Sequence, residues 1–476
     1  MNSTPNFILV TTDQQRFDTI SAAGHRHVWT PHLDWLCDSG VRFPNAFTDC
    51  PVCLPARSTI MTGRHAWNHR VMSNRFVPGA VTAENSLAGL LTRAGWQTRL
   101  IGKAHHAAHV RHHVGFEHLV LNEDHEQFLA AQPGIGSGRL HGLGGNENAP
   151  AINPIPQALA EPAWLVDRSL DFLETRDPAR PYLLWLSFNY PHPPYTPSRE
   201  HWDLYRDRPV PPRITGDWSK DFTRVPPAYG AVTQELSMTQ RLDDRQLADL
   251  RRAYYACISE VDYQLGRLFG ALQETDALRQ TWVLFTSDHG EMLGDHSLGG
   301  KCVPFEPVSR VPFIVRPPAA MRDAAAAWRG TTSDAIVCLA DILPTFLGAA
   351  GVVAPANIDG LDLRGVWNGQ RPQRDRFFHS CMYLHAVRQG RWKLCRETLA
   401  NTELLFDLVR DPAEQHNLAN DRAAAKTRRT LSRLLDEHLA AHDLSQAAAA
   451  DSAVATDVRH LPRNTYPGLR SGRRQP

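Results

Sequence analysis

Short apolar runs alternating with helical patterns constrain this chain more than any other feature. Phe7 to Thr12 is apolar and β-branched, as expected of a strand buried on both faces. Trp96 to Ile101, Tyr182 to Phe188, Trp282 to Ser287 and Val311 to Val315 repeat the pattern. Helical patterns lie between them. Thr30-Pro31 opens one, with Thr30 as N-cap, Leu33, Leu36 and Cys37 on one face and Gly40 closing it. Ser86 to Ala94 is a second, stopped by Gly95, and Trp164 to Glu174 a third. A long one runs from Asp244 to Leu272, its core face marked by Leu250, Tyr254, Cys257, Val261, Leu265 and Leu268. Such alternation predicts an α/β fold, a large mixed, mostly parallel sheet sandwiched by helices.

Residues 1–368 carry this pattern. Past about residue 370, Val387-Arg388, Trp392 to Leu394 and Leu404 to Asp407 read as short strands, and Leu431, Leu434, Leu435 and Leu439 as a helix face. A small C-terminal antiparallel sheet plus helix is therefore expected over 369–444. Residues 445–476 are Ala-rich, then Arg- and Pro-rich, and read as a tail, flexible or an arm for a homo-oligomer.

In parallel sheets ligands bind beyond the carboxyl ends of the strands. Here those ends deliver chemistry: Asp13-Gln14, then Lys103 and His105, then His192, then Asp288-His289. Charge points the same way. Lys and Arg number 51 against 50 acids, a net charge of +1, so no broad basic surface exists for nucleic acid or an anionic membrane. Any attraction for an anion is local, which favours a small substrate. The N-terminus lacks a basic region and a long apolar run, and no stretch reaches membrane-spanning length, so a cytoplasmic location is expected. Eight cysteines in 476 residues make no disulfide scaffold.

Cys53 to Arg64 is the most informative segment. Pro55 sits where a helix's first turn would be and Gly63 where it would end, so Cys53 lies at a helix N-terminus, which favours anions. Arg57 adds a cation one turn on. Cys50, although spaced C-x-x-C from Cys53, is expected in the core.

The segment C-x-P-x-R followed by S-T-x-x-T-G-R resembles the signature of the type I sulfatases of the alkaline phosphatase superfamily. Ala56 stands where many members carry Ser; Ala and Thr also occur there. The opening Pro5 to Val10 with Asp13 to Arg16, Thr30-Pro31-His32-Leu33-Asp34, Thr286 to His296, and Leu405 to Leu408 with Asp411-Pro412, Glu414, Asn417 and Leu418 resemble further family segments. The likeness spans roughly residues 5 to 420. It implies an alkaline-phosphatase-like catalytic domain.

The resemblance also implies roles. Cys53 would be oxidised to formylglycine (3-oxoalanine) by a separate formylglycine-generating enzyme. An aldehyde hydrate offers two hydroxyls on one carbon: one attacks sulfur, and the other expels sulfate and restores the aldehyde, where a serine would remain a stuck ester. Asp13, Gln14, Asp288 and His289 would hold one divalent metal, Ca²⁺ by the hardness of the oxygen donors, with Mg²⁺ or Mn²⁺ as alternatives. Arg57, Lys103 and Lys301 would balance the sulfuryl oxygens, joined by Asn74 and His192 in binding substrate. His105 resembles the base and His192 the acid, each with an ordinary pKa near 6.5 that suits neutral pH.

The expected function is hydrolysis of a small sulfate monoester, whether aryl, sugar or alkyl. Phosphonate monoester hydrolysis on the same scaffold is the rival; Lys103 and His105 are the sulfatase-like pair there. A non-catalytic anion-binding relative is the reading from another class. Trp202, Tyr205, Trp218 and Tyr229 could stack a substrate ring but read better as loop packing. His106, His109, His112 and His113 read as solvated histidines on a cleft rim.

Overall fold

The computed structural model describes residues 4–105, 113–136, 141–220, 222–230, 239–319, 330–368, 370 and 374–444. His106, His109, His112 and the tail from residue 445 fall outside the described residues. His113 is exposed, its Nδ1 donating to the Phe116 carbonyl at 3.0 Å.

Among the described residues fourteen strands, β1 to β14, occur in chain order: Asn6–Thr12, Val41–Arg42, Ala46–Phe47, Gln97–Gly102, His118–Leu121, Tyr182–Ser187, Thr281–Ser287, Phe313–Arg316, Thr331–Thr332, Val337–Cys338, Arg376–Cys381, Leu384–Gln389, Trp392–Glu397 and Thr402–Asp407. Eight of them form one mixed sheet in the order β5-β4-β6-β1-β7-β8-β2-β9. The five from β5 to β7 are mutually parallel, while β8 runs antiparallel to both β7 and β2.

Strand alternation splits the core. Ile8, Val10, Ile101, Leu184, Leu186, Val283 and Phe285 pack on one face with the helices Pro31–Ser39, Glu161–Thr175 and Asp244–Glu274. Phe7, Leu9, Leu100, Leu183, Trp185, Trp282 and Leu284 pack on the other with Cys53–Thr62, Leu87–Arg93 and Ile342–Ala350. Both faces are dry, which is why these strands read as unbroken apolar runs. All six expected core positions of the long helix are buried.

Register places the site. Thr11 pairs with Ser187, Ser187 with Gly102, and Thr12 with Ser287, so four strands end at one level. The next residues continue the ladder: Lys103 N–H donates to the Ser187 carbonyl, Phe188 N–H to Thr11 and Asp288 N–H to Thr12. Gly102 makes this possible. Its φ is 105°, and a Cβ there would lie 2.0 Å from the Ser187 carbonyl oxygen.

Two local readings change. Thr30 precedes its helix, but its side chain makes no cap bond; its hydroxyl instead donates to Asp34 Oδ1 and accepts from Ser21 N–H. Gly40 ends the helix in an extended conformation rather than a left-handed one; the constraint is space, since a Cβ would sit 2.5 Å from the Val315 carbonyl oxygen.

The strands β11 to β14 form an antiparallel meander, and the helix Ala425–Ala441 packs on it through Leu431, Leu435 and Leu439. A buried ion cluster fastens this sheet to the larger body. Lys393 Nζ lies 3.0 Å from Glu306 and 2.9 Å from Glu414, and Arg388 lies 2.9 Å from Glu306.

Candidate active site

The Cys53–Thr62 helix starts after Val52, whose side chain makes no cap bond, and ends at Gly63 with φ 64°. Asn74 Oδ1 instead accepts the Leu54 N–H at 3.1 Å. Asn74 is exposed, and its Oδ1 serves this helix as a cap. Cys53, first in the helix, is buried, and the other expected residues gather around it.

Its sulfur lies 2.9 Å from Lys301 Nζ, 3.3 Å from His289 Nε2 and 3.7 Å from Asp13 Oδ1. One ligand atom each from Asp13, Cys53, Asp288 and His289 falls within 4.8 Å of the others. Lys301 Nζ also donates to Gln14 Oε1 at 3.0 Å, and Lys103 Nζ lies 2.6 Å from Asp13 Oδ2. His192 Nε2 stands 4.0 Å from Asp13 Oδ1.

Arg57 does a different job from the one expected. Its Nε donates to Asp288 Oδ2 and its Nη2 to Asp13 Oδ2, at 3.1 and 3.2 Å. Its Nη1 donates to Ser187 Oγ and to the Lys103 carbonyl, at 2.7 and 2.8 Å. The guanidinium thus ties two acids to two strand ends, leaving Lys103 and Lys301 as the lysines whose charge acts on Cys53. His105 is not drawn into this network. It has a φ of 41°, and its buried Nδ1 has no hydrogen-bond partner among the described residues.

Several positioning groups are not among the expected site residues. Glu291 accepts from the Gln14 side-chain amide, from Leu293 N–H at 3.0 Å and from Gly300 N–H. This orients Gln14 so that its carbonyl oxygen, not its nitrogen, meets Lys301. Tyr254 donates to the Gln14 backbone carbonyl at 2.7 Å, and Ser187 receives Arg57. Glu291 stands in the motif quoted above, so proximity to Asp288 could have flagged it.

The electrostatics follow from packing these charges together. Burial pushes Asp13 upward, but Lys103, His192, Lys301 and Arg57 outweigh it and hold the carboxyl well below its usual range. Burial and neighbouring Asp13 push Asp288 up to about 6. Burial and Asp13 would raise the Cys53 thiol; Lys301, Lys103 and His289 outweigh them and lower it well below its usual range. His192 departs from the sequence expectation: burial, then Lys301 and Lys103, bring it down to about 4. It is therefore neutral at pH 7 in the free protein.

The donor set fits a hard divalent cation. Two carboxylates and an amide oxygen are joined by an imidazole whose Nδ1 donates to the Gly290 carbonyl at 3.0 Å, which leaves the Nε2 lone pair facing the cluster. Of the loop aromatics, Tyr205, Trp218 and Tyr229 are buried, and the Trp218 Nε1–H donates to the Glu414 carbonyl, so these are packing residues. Cys50 is buried in the core, and all eight cysteines are free thiols. No helix among the described residues is long and apolar enough to cross a membrane.

Comparison with known proteins agrees with this geometry. The sulfatase family model matches residues 5–352, and a model of the N-sulphoglucosamine sulphohydrolase C-terminal region matches 294–441. An arylsulfatase of Clostridium perfringens is 30% identical over 87% of this chain and 90% of its own length. A choline-sulfatase of Rhizobium meliloti is 29% identical over 94% of this chain and 88% of its own. The crystal structure of a phosphonate monoester hydrolase of Agrobacterium radiobacter superposes with a TM-score of 0.80 at 27% identity, covering 92% of this chain and 96% of that one. With a family model covering most of its length and its site residues converging on one cysteine, the chain belongs to the sulfatase family.

Proposed function

We propose that this protein hydrolyses a small sulfate monoester, with Cys53 converted to formylglycine by a separate enzyme and one divalent cation, Ca²⁺, held by Asp13, Gln14, Asp288 and His289. The observation that carries this reading is the position of Cys53: a helix N-terminus where Lys301, His289 and Asp13 all lie within 4 Å of its sulfur.

The bound cation would supply Lewis-acid activation of the nucleophilic hydroxyl. The chain's own groups do the rest. Lys103 and Lys301 bind the sulfuryl oxygens, with the start of the Cys53–Thr62 helix adding its dipole. Arg57 keeps Asp13 and Asp288 ionised and fixed. His192 protonates the leaving oxygen, and His105, three residues past β4, takes the proton from the second hydroxyl.

Peptide mapping of Cys53 tests the nucleophile. An active preparation should carry the aldehyde, and an active preparation with only the thiol would refute it. The likeness to a phosphonate monoester hydrolase favours a second reading, hydrolysis of phosphonate monoesters. Second-order rate constants for matched aryl sulfate and aryl phosphonate decide between them, and a clear excess for the phosphonate reverses the assignment.

A further inference from the structure

Two buried carboxyl groups outside the ion cluster grip the ends of the segment that carries His192. Glu161, the first residue of its helix, accepts the Asn189 N–H at 2.8 Å. Glu260, on the Asp244–Glu274 helix, accepts the Ser198 N–H at 2.8 Å. Between these anchors Tyr190 and Tyr195 meet the backbone of Asp13, Ala149 and Ala151, and Pro197 that of Asn153, while the turn around His192 is bonded within the segment. His192 N–H donates to the Asn189 carbonyl, His192 Nδ1 to Pro193 and Tyr190 Oη to Thr196.

Each carboxyl keeps a second oxygen, Glu161 Oε2 and Glu260 Oε1, buried without a hydrogen-bond partner among the described residues. No ion pair to either is found among the described residues. Burial, aided by the Glu260 charge, outweighs the Asn189 hydrogen bond and raises Glu161 to about 8; burial raises Glu260 to about 7. A neutral carboxyl accepts a backbone amide without placing a new negative charge beside Asp13 and Lys103, both of which lie near enough to act on Glu161. An apolar residue would leave the loop amide stranded in the core.

We propose that Glu161 and Glu260 are positioning residues for His192: by holding the amides of Asn189 and Ser198 they fix both ends of its segment and keep Nε2 beside Asp13. This rests on the reading of His192 as the acid for the leaving oxygen.

The test is a series of aryl and alkyl sulfates of graded leaving-group acidity, run on the modified, metal-loaded enzyme. In Glu161→Leu and Glu260→Leu, kcat should fall by about tenfold or more for poor leaving groups but under about threefold for activated ones, since only the former need protonation. Glu161→Gln and Glu260→Gln should rescue the activated-to-poor ratio to near the parent value, because an amide oxygen also accepts the loop N–H. If a leucine variant does not fold, Glu161→Asp and Glu260→Asp, which withdraw the acceptor by one methylene, take its place. His192→Ala is run alongside. If it steepens the dependence while the glutamate variants lose equally across the series, the positioning role is overturned and the acid survives. If His192→Ala itself leaves the dependence unchanged, the acid reading fails and the proposal fails with it.

Discussion

Two buried ion clusters in this molecule use the same side-chain chemistry to opposite ends. At the seam between the two sheets, Lys393 is shared by Glu306 and Glu414, and Arg388 completes the set. There each cation meets a carboxylate, and the cluster joins β12 and β13 to the larger body. At the carboxyl ends of the parallel strands, Asp13 and Asp288 are also matched by Arg57 and Lys103. The difference is Lys301. Its ammonium meets an amide oxygen and the Cys53 sulfur, not a carboxylate, so positive charge is left facing that sulfur. Buried charge alone therefore does not mark a site; convergence of unequal charge on one reactive atom does.

That contrast can be broken in four places. Cys53→Ala should abolish turnover, by at least about four orders of magnitude in kcat, while the thermal unfolding profile stays intact. Appreciable activity in this variant would remove covalent catalysis. Lys393→Met should act in the reverse sense. It strands Glu414, while Glu306 keeps Arg388, and should cost about 3–5 kcal/mol in denaturant unfolding, with kcat of the folded fraction unchanged. A stable variant with poor kcat would mean the two clusters are coupled.

The seam also predicts a pH response. Burial lowers His379 and His438 to about 3 and His385 to about 4. These imidazoles are neutral when folded and take up protons when unfolded, so their contribution is complete above about pH 6.5 and is lost as pH falls toward 3 to 4. His379→Gln should flatten the slope of unfolding free energy between pH 6.5 and 5 by up to about 2 kcal/mol. An unchanged slope would show that the buried histidines do not govern acid lability. The smallest effect is expected from Asn74→Ala, about 1 kcal/mol through the lost cap to Leu54, with little change in KM. A large rise in KM would restore Asn74 as a substrate contact.

Much of the architecture was legible because burial on both faces writes strands as continuous apolar runs, and because strand ends on one edge must share a space. That reasoning reached Asp13, Lys103, His192 and Asp288 without any contact being known. The short strands β2 and β9 escaped because two residues carry no periodicity. Strand β11 was missed because His379 and Ser380 interrupt its apolar pattern; both are buried. The work of Arg57 could not be read either. Its sequence position places it one turn from Cys53, but which acids claim its guanidinium depends on strand ends 44 and 231 residues away. Glu161 and Glu260 were invisible for a similar reason, since an isolated Glu in a helix ordinarily faces solvent.

The sequestration of Cys53 fixes an order of events in the life of the chain. His289 and Lys301, which close over its sulfur, lie 236 and 248 residues further along the sequence. An enzyme that oxidises this thiol must meet it as an extended peptide, before those residues arrive and seal it. On the proposed formylglycine chemistry, maturation becomes a race between modification and folding, and a fast-folding variant of this protein would be a poorly activated one.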